Sequence, residues 1–344
     1  MRYTNVCLHD FGYELPPVLL SSVAIEERLQ PLYQRLKLPA GRLELMTGIE
    51  SRRLWEPGTL PSTAAAAAGA VAITRAGIAV EDISCLLFTS VSRDMMEPAT
   101  ASFVHRNLGL PSSCLVFDIS NACLGFLDGM VMLANMLELG QLQAGLLVAG
   151  ETAEDLITST LHHLNTDQSL TRKSIKPLFA SLTIGSGAVA MVMTTREYRD
   201  SGHYLRGGAF RAHTQHNDLC QGGQSSEQGT LMATDSEQLL EKGIETAAAC
   251  WPAFLEELDW DSASIDRFFC HQVGKAHAQL LFETLDLDPR KNFQTLTMMG
   301  NVGSVSAPIT MAIGIEQEAL ISGQRAAILG IGSGINSLML GIDW

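Results

Sequence analysis

The chain has 344 residues, 46% apolar and 17% charged, enough to bury a large core and too long for one small one, so two halves are expected. A formal net charge of -14 excludes nucleic acid as a partner, because binding a phosphate backbone needs a basic surface. No run reaches the roughly 18 uncharged apolar residues of a membrane span, Met1-Arg2-Tyr3-Thr4-Asn5 lacks the layout of a signal peptide, and the seven cysteines form no Cys-x-x-Cys pair, so a cytoplasmic protein with no membrane span, disulfide framework or metal site is expected.

From the N-terminus, the first feature is a basic stretch between residues 28 and 53, where Arg28, Arg35, Lys37, Arg42, Arg52 and Arg53 gather six of the 23 Lys and Arg. An anionic small ligand would need such a patch, and a solvated face explains it equally well. Beyond it, apolar runs at 85–88, 115–117, 144–149, 188–193, 268–270 and 326–329 are predicted to be strands, mostly buried. They alternate with helix-length segments, the pattern of an α/β fold.

Residues 124–139 and 308–321 are apolar around most of a helical circumference, which predicts two helices inside the protein. Each is followed by Gly-Gln (Gly140-Gln141, Gly323-Gln324) and then by a strand, so 123–141 and 306–324 align as an internal duplication. That alignment sets the loop holding Cys123 against the loop 300–307. Halves of 1–196 and 197–344 follow, the first carrying Cys123 and the second His271 and Asn301. Residues 213–236, rich in Gln, Ser, Gly, Asp and Thr, read as a surface loop or mobile cover.

Cys123 lies in Ser120-Asn121-Ala122-Cys123-Leu124-Gly125, after a predicted strand and at the opening of a buried helix. By residue type alone a structural cysteine is commoner, but a helix start stabilises a thiolate and lowers its pKa, which makes Cys123 the candidate nucleophile. His271 ends a strand, and Asn301 sits in Gly300-Asn301-Val302-Gly303; either alone is a weak signal, since Asn-x-Gly is a common turn. Gly330-Ile331-Gly332-Ser333-Gly334 permits a tight turn whose N–H groups can face an oxyanion. His162, His163, His213 and His216 have no neighbouring spacing that completes a metal site.

Cys123 in Asn-Ala-Cys-Leu-Gly, His271 in His-Gln, Asn301 in Gly-Asn-x-Gly and the closing Gly-Ile-Gly-Ser-Gly occur in the order of the ketoacyl synthase III branch of the thiolase superfamily, which the chain resembles over nearly its whole length. Within that branch it looks most like the acyl-CoA head-to-head condensing enzymes of bacterial olefin biosynthesis. The strings it shares with them are Glu27-Arg28-Leu29-Gln30-Pro31, Arg52-Arg53-Leu54-Trp55, Thr89-Ser90-Val91-Ser92-Arg93-Asp94 and Glu97-Pro98.

The resemblance implies a thiolase fold of five αβαβα layers, its middle layer being the two duplicated helices, in a homodimer in the cytoplasm. It implies that Cys123 is acylated by one fatty acyl-CoA, the thioester oxygen resting on the N–H groups of Cys123 and Ser333. His271 and Asn301 then stabilise the enolate of a second acyl-CoA, and Glu97, alone a mere loop carboxylate, becomes the base that removes its α-proton from across the subunit interface. The expected product is a 2-alkyl-3-ketoacyl thioester, hydrolysed to the β-keto acid in the olefin-type enzymes. No cofactor is implied beyond the CoA thioesters, which Arg52, Arg53 and Trp55 are expected to bind; downstream pathway enzymes are further possible partners.

The priming synthases commonly carry an arginine directly after Thr-Gly-Ile for the carrier protein, whereas here Thr47-Gly48-Ile49 is followed by Glu50. The alternatives are a ketoacyl synthase III that decarboxylates malonyl-carrier protein, which has no need of Glu97, and a non-catalytic partner subunit.

Overall fold

The computed structural model describes residues 1–225 and 229–344. Nine strands form the main sheet: β1 (Val6–Glu14), β2 (Cys85–Phe88), β3 (Leu115–Asp118), β4 (Ala144–Glu151), β5 (Gly187–Thr195), β6 (Tyr204–Ala212), β7 (Arg267–Cys270), β8 (Arg325–Gly332) and β9 (Asn336–Asp343). All residues of β2, β4 and β5 are buried, as strands covered on both faces must be, which is why they read as continuous apolar runs.

The sheet order is β7-β8-β9-β6-β1-β5-β4-β2-β3. Outward from the β1–β6 pairing, the first half runs β1-β5-β4-β2-β3 and the second β6-β9-β8-β7. In each half the first two pairings are antiparallel and those beyond are parallel. A lone bridge of Asn292 to Phe268 stands where β3 stands in the first half. The chain passes from one half to the other between Thr195 and Tyr204.

Six helices complete the layers: α1 (Pro61–Ala76), α2 (Thr100–Leu108), α3 (Gly125–Glu138), α4 (Ser236–Leu258), α5 (Lys275–Thr284) and α6 (Ser306–Glu316). Helix α1 packs on β1, β4, β5 and α2; α4 packs on β6, β8, β9 and α5. Helices α3 and α6 touch strands of both halves and so form the middle layer of an αβαβα arrangement. Their apolar circumference has this cause: Phe126, Met130, Leu133, Ile309 and Met311 all lie in the core shared by the two halves.

The two β layers are continuous through an antiparallel contact of Cys7 with Tyr204, where the strand edges of the halves meet. Two expectations need correction. Helix α6 stops at Glu316 because Glu318 is left-handed (φ 57°) and the Ala319 N–H turns back to the Gly314 carbonyl, so 317–321 leave the helix. The segment read as a loop holds a hairpin, Cys220–Ser225 with Gly229–Thr234, while residues 226–228 of that reading lie outside the described residues.

Candidate active site

Residues 119–124 carry the chain from β3 into α3 as a tight turn with Cys123 near its crest. Ala122 is left-handed (φ 48°), uncommon for a residue with a side chain. The Leu124 N–H donates to the Asn121 carbonyl at 3.0 Å and the Gly125 N–H to that of Ala122 at 3.3 Å. Asn121 is tied on both sides: its Nδ2 donates to Asp128 Oδ2 at 2.7 Å, and its Oδ1 accepts from Asn336 Nδ2 at 3.3 Å.

Burial pushes the Cys123 thiol up to about 12, with nearby Cys220 and Glu151 adding to the rise and the Cys123 amide opposing it. The lowered pKa expected from the helix start is therefore not found: desolvation exceeds the pull of the helix end, which begins two residues later at Gly125. The resting Cys123 side chain is a neutral thiol.

The glycine-rich turn after β8 lies directly against this loop. A Cβ at Gly330 would stand 2.6 Å from Leu124 Cδ2, and one at Gly332 2.9 Å from Leu124 Cγ, so glycines at both positions allow the approach without displacing Leu124. Ser333 follows, half-buried, and neither its N–H nor that of Cys123 donates to another residue among the described residues.

His271 is one residue beyond β7, and its N–H donates to the Leu329 carbonyl at 3.0 Å, beside Gly330. It is buried, and burial, reinforced by His277, lowers its pKa to about 3. The imidazole is therefore neutral, and its Nδ1 has no hydrogen-bond partner among the described residues. Gln272 anchors this strand end, donating from Nε2 to Thr310 Oγ1 at 2.9 Å and accepting from the Thr295 N–H at 3.0 Å.

Asn301 is also buried. Its N–H donates to the Thr183 carbonyl at 2.9 Å, and its own carbonyl accepts from the Gly185 N–H at 2.8 Å. Its side-chain Oδ1 accepts from the Gly303 N–H at 3.0 Å and makes a longer contact with Ser306 Oγ at 3.5 Å. With the oxygen occupied, the Nδ2 hydrogens are the donors left for a ligand. A Cβ on Gly125 would lie 2.2 Å from the Thr89 carbonyl oxygen and 3.6 Å from Ser304 Cβ, so the Cys123 helix start, the loop after β2 and the Asn301 turn meet at one point.

Glu97 stands apart. It is exposed in the loop after β2, between Met96, which is 91% exposed, and Pro98, and it has no hydrogen-bond partner among the described residues. Of the residues expected to hold CoA, Arg52 must be withdrawn: it is fully buried, its guanidinium donating to the Leu20 carbonyl at 3.3 Å and Ser22 Oγ at 3.2 Å. Arg53 and Trp55 are half-buried; Arg53 donates to the Pro16 carbonyl at 2.9 Å and the Trp55 indole to the Glu151 carbonyl at 3.1 Å. His213 pairs with Thr246 Oγ1 at 2.9 Å.

Sequence reasoning missed Glu151, a buried carboxylate that accepts hydrogen bonds from both the loop after β2 and the Asn301 turn. Its only signal was a charge closing the otherwise apolar run of β4.

The 3-oxoacyl-[acyl-carrier-protein (ACP)] synthase III family model matches residues 117–205, and the model of that family's C-terminal part matches 255–344. The chain is 39% identical to the acyl-CoA:acyl-CoA alkyltransferase of Shewanella oneidensis and 38% to that of Xanthomonas campestris pv. campestris, each alignment covering 100% of both proteins. The beta-ketoacyl-[acyl-carrier-protein] synthase III of Koribacter versatilis is 23% identical, over 97% of this chain and 96% of that one. A crystal structure of Xanthomonas campestris OleA with a cysteine-to-alanine substitution superposes with a TM-score of 0.95 at 38% identity, covering 100% of this chain and 98% of that one. A cysteine-to-serine form with bound lauric acid and lauroyl-CoA gives 0.95 at 37% identity, over 99% and 100%.

Proposed function

We infer the reaction of this chain from the family to which it belongs, the thiolase-fold 3-oxoacyl-[acyl-carrier-protein] synthase III family and, within it, the acyl-CoA:acyl-CoA alkyltransferases. It is an acyltransferase that joins two acyl-CoA molecules head to head in a Claisen condensation through a cysteine. One observation carries this over the decarboxylating synthases: full-length identity is 38–39% to the alkyltransferases and 23% to the Koribacter versatilis synthase.

Cys123 Sγ attacks the thioester carbon of the first acyl-CoA. The C–S bond to CoA breaks, the thiol proton goes to the departing CoA sulfur, and the acyl chain remains on Cys123. The Cys123 and Ser333 N–H groups, which donate to no other residue among the described residues, support a role as the oxyanion hole of this step. A second acyl-CoA places its thioester oxygen on His271 and on Nδ2 of Asn301. Both are uncharged donors, suited to an enolate whose charge must develop in a buried place.

Glu97 of a second copy removes the α-proton, the enolate carbon attacks the acyl-Cys123 carbon, and the Cys123–acyl bond breaks. The thiolate recovers its proton from Glu97, leaving a 2-alkyl-3-ketoacyl-CoA. Support for Glu97 comes from the Xanthomonas campestris OleA forms carrying alanine, glutamine or aspartate at one glutamate. That glutamate precedes the substituted cysteine by the same number of positions as Glu97 precedes Cys123. Support for the second copy is the free sheet edge β3, with Leu115 46% exposed, and the exposed Met95 and Met96 beside Glu97. Arg53 and Trp55 are the remaining choices for holding CoA. Cytoplasmic work fits a chain whose seven cysteines are all free.

The direct test is intact-mass analysis after mixing the protein with myristoyl-CoA. One myristoyl adduct per chain is expected, absent in Cys123→Ala; an adduct that persists in the variant, or none in the wild type, defeats the reading.

A further inference from the structure

The loop carrying Glu97 and the turn carrying Asn301 are both fastened to one buried carboxylate, Glu151, which is 5% exposed. Its Oε1 accepts from the Val91 N–H at 3.0 Å, the Ser304 N–H at 3.2 Å and Ser304 Oγ at 2.8 Å. Its Oε2 accepts from the Ser92 N–H at 3.0 Å and Ser92 Oγ at 2.8 Å. The Ser92 hydroxyl is oriented for this, because its oxygen also accepts from the Thr152 N–H at 3.0 Å.

Three of these partners are backbone N–H groups, which can only donate, so the site requires an acceptor on both oxygens and an amide would turn an N–H₂ group toward N–H donors. Without Glu151 the Val91, Ser92 and Ser304 amides would lose their acceptor, at the greatest cost for the buried Ser304. Gly303, left-handed at φ 56°, leaves little room for a side chain: its Cβ would lie 3.0 Å from Glu151 Oε1. The Asn301 turn is thus shaped to close on this carboxylate.

We propose that Glu151 is a positioning residue for the condensation step, setting the Asn301 oxyanion donor of its own active site and, through Val91 and Ser92, the Glu97 base that its subunit lends to its partner. This rests on the cross-subunit reading of Glu97. The two groups it positions serve the same step at the two sites of a dimer: Asn301 holds the enolate oxygen in its own site, and Glu97 takes the α-proton in the partner's. Neither belongs to the acylation step, which uses Cys123, Ser333 and the first acyl-CoA. Glu151 therefore governs one half-reaction and ties the two sites of a dimer together.

The test separates the half-reactions. Glu151→Gln should acylate Cys123 with myristoyl-CoA at no less than about a third of the wild-type rate, since the charge it removes is one that raises the Cys123 thiol, while condensation falls about 100-fold, the scale of losing one oriented donor. Glu151→Asp, which keeps the charge, should recover part of the loss. Mixed dimers of a Cys123→Ala subunit and a Glu97→Ala subunit have one intact site, built from Cys123 and Asn301 of the second and Glu97 of the first. Ser92→Ala should slow that site only from the Cys123→Ala subunit, Ser304→Ala only from the Glu97→Ala subunit, and Glu151→Gln from either. Equal loss of acylation and condensation, or no loss in either, overturns the proposal, as does an effect of Glu151→Gln from one subunit only. The parent mixed dimer is assayed first: if it makes no product, the cross-subunit reading of Glu97 fails and the proposal with it, whereas an active parent leaves that reading standing whatever Glu151 does.

Discussion

Cys123 and His271 both rest uncharged at neutral pH, one because burial raises its thiol to about 12 and the other because burial lowers its imidazole to about 3. Alkylation of Cys123 by iodoacetamide should therefore rise about tenfold per pH unit from pH 7 to 9, following the thiolate fraction. A plateau below pH 8 would mean a thiolate already formed by the helix start. Buried His9, lowered to about 4 and bonded to Thr194 Oγ1 at 2.9 Å, gives a stability prediction. Between its folded value and the ordinary 6.5 the unfolded chain binds the extra proton, so stability is full above pH 6.5 and falls as pH drops toward 4. His9→Gln should flatten the fall in melting temperature over that range, by up to about 1.4 kcal/mol for each pH unit; an unchanged slope contradicts it. At this scale the sequence revealed which residue types sit at turns and strand ends. It could not reveal burial, which is why the Cys123 shift came out with the opposite sign, Arg52 proved to be a core residue and Glu151 went unnoticed.

Helix α3 begins where three segments converge, and Gly125 is the residue that lets them. Gly125→Ala would drive a methyl group to 2.2 Å from the Thr89 backbone oxygen, so the helix start must shift. Overpacking of this kind costs about 1–3 kcal/mol and more where backbone is the obstacle, so urea unfolding should show at least that loss, together with slower acylation of the displaced Cys123. Unchanged stability would show that the helix start does not meet the loop after β2. The two central helices and the strands β2, β4, β5 and β8 were legible because burial on all sides leaves a continuous apolar run. The Cys220–Ser225 and Gly229–Thr234 hairpin was not, since its Gln, Gly, Ser and Thr residues pair by backbone without hydrophobic alternation. The end of α6 was misjudged because its apolar composition runs past the left-handed residue that stops it.

The whole molecule repeats one strand order twice around two buried helices, and the repeat places the Cys123 loop of one half beside the Asn301 turn of the other. That juxtaposition was foreseeable from the matched spacing of 123–141 and 306–324. The merging of both halves into one sheet was not, because β1 and β6 meet through backbone groups that leave no trace in side-chain patterning. The proposed base Glu97 is exposed on a loop next to a free sheet edge, whereas the buried carboxylate at the Asn301 turn, Glu151, has both oxygens taken by hydrogen bonds. Non-decarboxylative condensation with Glu97 as base can be tested by supplying myristoyl-CoA as sole substrate, without any malonyl thioester, to wild type and Glu97→Ala. Mass spectrometry should find CoA release and a C28 β-keto acid or its ketone from the wild type, and an acyl-enzyme with no condensed product from Glu97→Ala. Product formed only when a malonyl thioester is added, at equal rates in both proteins, would contradict the account.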